Sequence, residues 1–253
     1  MIATTPEQIK ALRAAGKILA GVLKDVAALC KEGVTTAELD LSCEHMVRAR
    51  GAVPAFLNYQ PDGASYPFPA SLCVALNDEV VHGIPNEKKI LRKGDLLTLD
   101  AGLSYQGYFV DAARTLCIGE CDQQAHKLIS ATKEALQAAI VVARAGARTG
   151  DIGAVVAGIA RKYNLGVVKD LGGHGVGSSV HEKPFIANEG RRGEGERIVA
   201  GMVLAIEPML AEGKGDIILD EDEWTYRMRD GKRAAHFEDT VLITESGAEI
   251  LTA

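Results

Sequence analysis

Four acidic residues stand where strands should be apolar. Asp100 closes "LLTLD", Asp111 closes "YFVD", Glu207 follows "MVLAI" and Glu238 lies within "HFEDTVLI". If Ser104–Gly107 is the turn between the first two strands, Asp100 faces Asp111 directly across a ladder. Like charges so placed destabilise a sheet; at 4 Å and an effective dielectric of about 20 the repulsion is about 4 kcal/mol. A chain that keeps such a pair needs a cation to compensate it. Four carboxylates match two divalent cations, and two metals held mainly by carboxylate oxygens form a hydrolytic arrangement that activates water and clamps the reacting centre. An oxygen-rich set with one imidazole favours manganese, iron or cobalt over structural zinc.

The imidazole comes from "LGGHGVGSSVHEKP", Leu171 to Pro184, which carries His174 and His181 seven residues apart. Two histidines that clamp one metal from a helix face are four apart; His174 can be the single imidazole ligand, and His181 need not be one. The glycines at 172, 173, 175 and 177 let the backbone turn tightly around it and leave room for a substrate. His181 is free to donate a hydrogen bond to charge developing on the substrate, and His82, at the turn Gly83–Pro85, can do so from the other side. Each residue alone has a plainer role. Asp100 reads as a strand-end turn residue, Asp111 as a partner for Arg114, Glu207 as a strand end before Pro208 and Glu238 as an edge charge. His82 and His181 read as polar loop residues. The joint pattern carries the metal reading. "GGHGVG" lacks the G-x-G-x-x-G spacing and the following acid of a dinucleotide site.

Elements that could bring these residues together are visible along the chain. Thr5, Pro6 and Gln8 start a helix whose apolar positions, 9, 12, 16, 19, 23, 26 and 30, step by three and four towards Gly33. Thr35 with Glu38 starts a second, to about Gly51. Residues 61–70 read as loop, "SLCVAL" as a strand and "VVHGIP" as a strand end; 94–118 is a strand pair. Helices follow over about 122–145 and, capped by Thr149, about 150–164. Residues 201–210 and 235–244 are strands. "KEGVTTAELDL" resembles "RAGARTGDIGA", and "KGDLLTLDAG" resembles "AGMVLAIEPM". This weak repeat predicts an α+β fold: a pseudo-two-fold antiparallel sheet with helices on its outer face, and a site collecting acids from both halves. No low-complexity linker divides residues 1–253, so one domain is expected.

Composition narrows the partners. The 253 residues are 47% hydrophobic and 25% charged, with net charge −6, which suits a soluble globular protein. No basic block points to nucleic acid, no apolar run is long enough to span a bilayer, and "MIATTPEQIK" has no signal core. The five cysteines are odd in number and scattered, which argues against a disulfide framework and for a reducing, cytoplasmic compartment.

With these residues in place the chain resembles the type I methionine aminopeptidases of the pita-bread fold, shared with prolidase and creatinase. The likeness rests on "NDEVVHGIP", "GDLLTLDAGLSYQGYFVDAARTL", "GGHGVGSSVHEKP", "GMVLAIEPM" and "WTYRMRDGKRAAHFEDTVLIT". It implies two divalent ions, cobalt, manganese, iron or zinc, on Asp100, Asp111, His174, Glu207 and Glu238. It implies removal of the initiator methionine from nascent proteins by two-metal-assisted hydrolysis of the first peptide bond. Glu207 would serve as base and then acid, His181 would steady the oxyanion and His82 would contact the substrate. Phe68, Cys73 and Trp224, with Tyr66 nearby, would form the methionine pocket, where a soft sulfur suits a thioether. The expected partners are a nascent polypeptide N-terminus and the ribosome, and the enzyme is expected to be a monomer. Val180, where an aromatic residue is common, and Asp239, where a histidine is common, lean towards the prolidase pattern; "AIEPM" and Trp224 lean the other way. The rivals are an X-prolyl aminopeptidase or prolidase-like peptidase and a pita-bread binding module without catalysis.

Overall fold

Local hydrogen bonding sets the first two helices as the sequence expects. Gln8 N–H donates to Thr5 Oγ1 (3.3 Å) and Thr5 N–H to Gln8 Oε1 (3.1 Å), which starts α1 (Pro6–Leu29). Thr35 and Glu38 exchange the same pair at the head of α2 (Thr36–Ala49). The computed structural model describes residues 1–253. After α2 come β1 (Val53–Pro54), β2 (Cys73–Leu76), β3 (Glu79–Val81), β4 (Leu96–Tyr105) and β5 (Tyr108–Cys117). The second half begins with α3 (Gln123–Val142) and α4 (Thr149–Tyr163), then β6 (Gly166–Val167), β7 (Gly172–Gly175), β8 (Glu182–Ala187) and β9 (Val203–Ile206). It ends with β10 (Met209–Ala211), β11 (Ile217–Leu219), β12 (Tyr226–Met228), β13 (Ala234–His236), β14 (Glu238–Ile243) and β15 (Ala248–Ile250).

A nine-stranded antiparallel sheet runs in the order β1-β4-β5-β14-β9-β7-β8, with β2 added on β4 and β15 on β14. Helix pairs cover it in two similar units. Leu97, Leu99, Ala101 and Leu103 of β4 join Leu12, Leu19 and Leu39 of the first pair in one apolar core. Leu204, Ile206, Val241 and Ile243 join Leu128, Ala135 and Val156 of the second pair in another. Side chains alternate along a strand, so Asp100 and Glu207 are left on the side away from the helices.

Four differences from the sequence reading have physical causes. The turn between β4 and β5 has only two residues, Gln106 and Gly107, both at positive φ (53° and 82°), because such a turn matches the strand twist. The register moves accordingly: Asp100 pairs with Ala113 and Asp111 with Gly102, so the two aspartates are diagonal neighbours on one face rather than direct opposites. Helix α4 is capped by Arg148, whose N–H donates to Asp151 Oδ2 (2.8 Å), while Thr149 is already helical. The strand run 201–210 is broken at Glu207–Pro208, where Pro208 lacks a ladder donor, and the run 235–244 is broken at Phe237, just before the acid Glu238. Lastly, Cys117 and Cys121 are joined by a disulfide across the turn at Gly119, with Cα atoms 6.0 Å apart; only Cys30, Cys43 and Cys73 are free thiols.

The two halves meet at β5 and β14, which share only the pairs Glu238–Ala113 and Asp239–Ala112. Side chains extend this short seam. Thr240 Oγ1 donates to the Asp111 carbonyl (2.7 Å) and accepts from the Asp111 N–H (2.9 Å). Thr115 Oγ1 does the same with His236 (2.7 and 2.9 Å). Arg114 donates to the Glu238 carbonyl, to the Thr252 carbonyl (2.9 Å) and to Asp239 Oδ1 (2.6 Å). Asp239 is buried and would lose its charged partner in Arg114→Met. That variant should lower the unfolding free energy of the metal-free protein by about 1.5–3 kcal/mol, read from urea denaturation, with Asp239→Asn in the same chain recovering part of the loss.

Candidate metal centre

One row of the sheet carries most of the site. Cys73 pairs with Asp100, Asp100 with Ala113, and Ala113 with Glu238. Asp239 pairs with Ile206 and His236 with Met209, so the same register sets Glu238 opposite Glu207. Asp111 stands two residues from Ala113 on the same face. His174 pairs with Ala205, two residues before Glu207. The sheet therefore brings all five sequence-assigned ligand residues to one place.

Their chemistry is that of a site awaiting positive charge. Ligand atoms of Asp100, Asp111 and Glu238 lie within 4.8 Å of one another, as do those of His174, Glu207 and Glu238. All five residues are buried. Oδ1 of Asp100, Oδ1 of Asp111 and Oε1 of Glu238 are buried without any hydrogen-bond partner. Burial, then repulsion from neighbouring carboxylates, holds Asp100, Glu207 and Glu238 well above the ordinary carboxyl range; burial pushes Asp111 up to about 7. Arg114, the nearby guanidinium of the seam, is spent on Asp239 and backbone carbonyls. Orphaned carboxylate oxygens in a buried cluster are what hard divalent cations replace, so the residues fit a metal centre.

His174 is oriented for the same task. Its Nδ1 lies 2.9 Å from the Gly175 carbonyl, which can only accept, so the proton sits on Nδ1 and the Nε2 lone pair faces Glu207 Oε1 at 3.4 Å. Burial and the neighbouring His181 lower its pKa to about 3. The flanking glycines serve close packing more than turning. A Cβ on Gly173 would meet the Ala205 carbonyl oxygen at 2.3 Å, and one on Gly175 the Lys183 carbonyl oxygen at 2.1 Å. Of the four, Gly177 is the one at positive φ (127°).

The remaining assigned residues line or support a cavity of about 600 Å³ above the row. His82, His174, His181, Phe68, Cys73 and Trp224 all face it. Its buried end is apolar: Phe56, Phe68, Cys73, Val180 and Trp224 pack as one cluster. Tyr66 does not line the cavity. It stands outside, its ring 6.3 Å from Trp224 and its hydroxyl donating to the Asp222 carbonyl, and so props the wall. Asp170, Lys183 and Phe185 are exposed lining residues, which places the mouth beside them. His82 adopts a left-handed backbone (φ 55°), and its pKa is lowered to about 4 by burial and by His181. His181 is exposed by surface area, yet enough protein surrounds its ring for burial to lower its pKa too.

Besides Phe56, two residues of this region were not foreseen. Tyr59 Oη lies 2.9 Å from His181 Nδ1; it sits just before the loop, where nothing in the sequence signals a contact 122 residues away. His236 is buried beside Glu207. Its one sequence signal is alternation, since it stands two residues before Glu238 in a run read as strand.

The model of metallopeptidase family M24 matches residues 10–245. A methionine aminopeptidase of Aquifex aeolicus is 43% identical over 97% of this chain and 96% of its own length. The crystal structure of methionine aminopeptidase from Rickettsia prowazekii superposes with a TM-score of 0.95 at 38% identity, covering 100% of both chains. Prolidase from Pyrococcus furiosus is more distant: TM-score 0.76, 25% identity and 65% of that chain covered. The chain belongs to metallopeptidase family M24, and within it to the methionine aminopeptidases. Its pita-bread architecture follows from the same likeness.

A cation that binds only the folded chamber stabilises the fold by mass action. Adding manganese at about a hundred times its Kd should raise the unfolding free energy by about 2.7 kcal/mol. Calorimetry should show the gain reversed by chelator and much reduced in Asp111→Asn.

Proposed function

We propose that this chain is a methionyl aminopeptidase that removes the initiator methionine from nascent polypeptides by hydrolysis of the first peptide bond. The observation that carries the reading is the pairing of a buried acidic chamber with an apolar dead end beside it. Two divalent ions, drawn from cobalt, manganese, iron and zinc, would be held by Asp100, Asp111, His174, Glu207 and Glu238. When bound they supply charge neutralisation and Lewis-acid activation of water and of the scissile carbonyl.

The chain's own groups do the rest. Phe68, Cys73 and Trp224, with Phe56, receive the methionine side chain; an aromatic slot with a sulfur neighbour suits a polarisable thioether. The apolar end would take the first side chain of the substrate, and the exposed mouth at Lys183 and Phe185 leaves a path for the rest of the polypeptide. Glu207 takes a proton from the attacking water on a carboxylate oxygen and returns it to the leaving amine. In the tautomer this role requires, Tyr59 Oη donates to Nδ1 and His181 carries its proton on Nε2, offering it to the carbonyl oxygen as negative charge develops there. His82 contacts the substrate from the opposite wall, and its lowered pKa keeps it neutral at pH 7, as a hydrogen-bonding group rather than a cation. The same reading treats residues 1–253 as one catalytic domain, working as a monomer in the cytoplasm at the ribosome. The location follows from the substrate and not from the cysteines, two of which are paired.

Met-Ala-Ser incubated with the enzyme and manganese or cobalt should release free methionine, and prior chelation should stop it. Ala-Pro peptides should be poor substrates. Glu207→Gln should reduce kcat by roughly 10²–10⁴-fold; turnover at the parent rate would remove Glu207 from proton transfer.

A further inference from the structure

Glu207 is flanked by two imidazoles, and only one of them has a role above. His174 Nε2 stands 3.4 Å from Oε1, and His236 Nε2 stands 3.4 Å from Oε2. The two rings cannot act alike. His174 is tied through Nδ1 to a carbonyl, so it turns a lone pair towards Glu207. His236 has no such tie: both its nitrogens are buried without a hydrogen-bond partner. Leaving a buried polar group unpaired costs about 1–3 kcal/mol, and the Glu207 carboxylate is an acceptor within reach of Nε2. The backbone of His236 is meanwhile held at both polar atoms by Thr115 Oγ1, itself 2.8 Å from Thr98 Oγ1. Direct pairing with Met209, two residues after Glu207, holds the ring beside that carboxylate. His236 does not line the cavity, so it does not meet substrate.

We propose that His236 is a positioning residue for Glu207: its Nε2–H donates to Oε2 from behind the chamber and fixes the carboxylate plane, leaving Oε1 to the cavity side shared with His174. This rests on the proposed peptidase reading only in the use made of Glu207. The test compares His236→Gln, whose side-chain amide can place an N–H where the imidazole Nε2 stands, with His236→Leu, which cannot donate. Two readouts are taken: steady-state methionine release from Met-Ala-Ser with manganese, and the visible absorption of each protein titrated with cobalt(II). The expected result is kcat within threefold of the parent for His236→Gln, and at least tenfold lower for His236→Leu with KM within twofold. The cobalt band should be parent-like in the first variant and shifted in the second.

The inference is overturned if His236→Leu keeps the parent kcat and cobalt spectrum. It is equally overturned if both variants lose kcat and melting temperature together, which would make the ring a packing element. Should the parent itself release no methionine, the peptidase reading fails while the cobalt spectra still decide the placement of Glu207.

Discussion

Uncompensated negative charge in a buried chamber is the constraint on which the rest depends. Four carboxylates and one imidazole are gathered on the helix-free side of a sheet, with several oxygens lacking any partner. Such a cluster opposes folding unless its groups are protonated or bind cations. The surrounding protein resists that opposition through two apolar cores and a short seam of ladder pairs reinforced by Thr115, Thr240 and Arg114. Function and strain therefore share one location: the seam where the halves meet is where the acids meet.

The pseudo-symmetry explains why the acids come from such distant segments. Each half supplies a helix pair and strands whose inner faces carry carboxylates. Joining the halves through β5 and β14 puts Asp100, Ala113, Glu238 and Glu207 in one row. Breaks at Glu207–Pro208 and at Phe237 then let β10 and β13 leave for a smaller sheet. That departure opens the space in which the cavity forms, so strand geometry makes both the ligand set and the chamber.

Much of this was legible in the sequence because it is local. The capping boxes at Thr5 and Thr35, the helical periodicity and the acids on apolar strands all follow from near-neighbour chemistry. What failed was pairing. A turn of two residues rather than four displaced the β4–β5 register, so Asp100 and Asp111 are diagonal. The direct opposition of acids belongs instead to Glu207 and Glu238, whose strands come together only in the assembled sheet. Tyr59 and His236 were illegible for the same reason: each acts on a residue far along the chain. The helix start at Arg148 shows a subtler limit. Thr149 has the composition of a cap, but its hydroxyl accepts instead from the N–H of Glu196 (3.1 Å).

The central claim is that the acids from both halves hold cations together with His174. Anomalous diffraction at the manganese absorption edge, from crystals equilibrated with manganese, measures this directly. The account predicts peaks at the Asp100–Asp111–Glu238 and His174–Glu207–Glu238 groups. A map with no anomalous density there, from crystals that diffract well and hold manganese elsewhere, would contradict it.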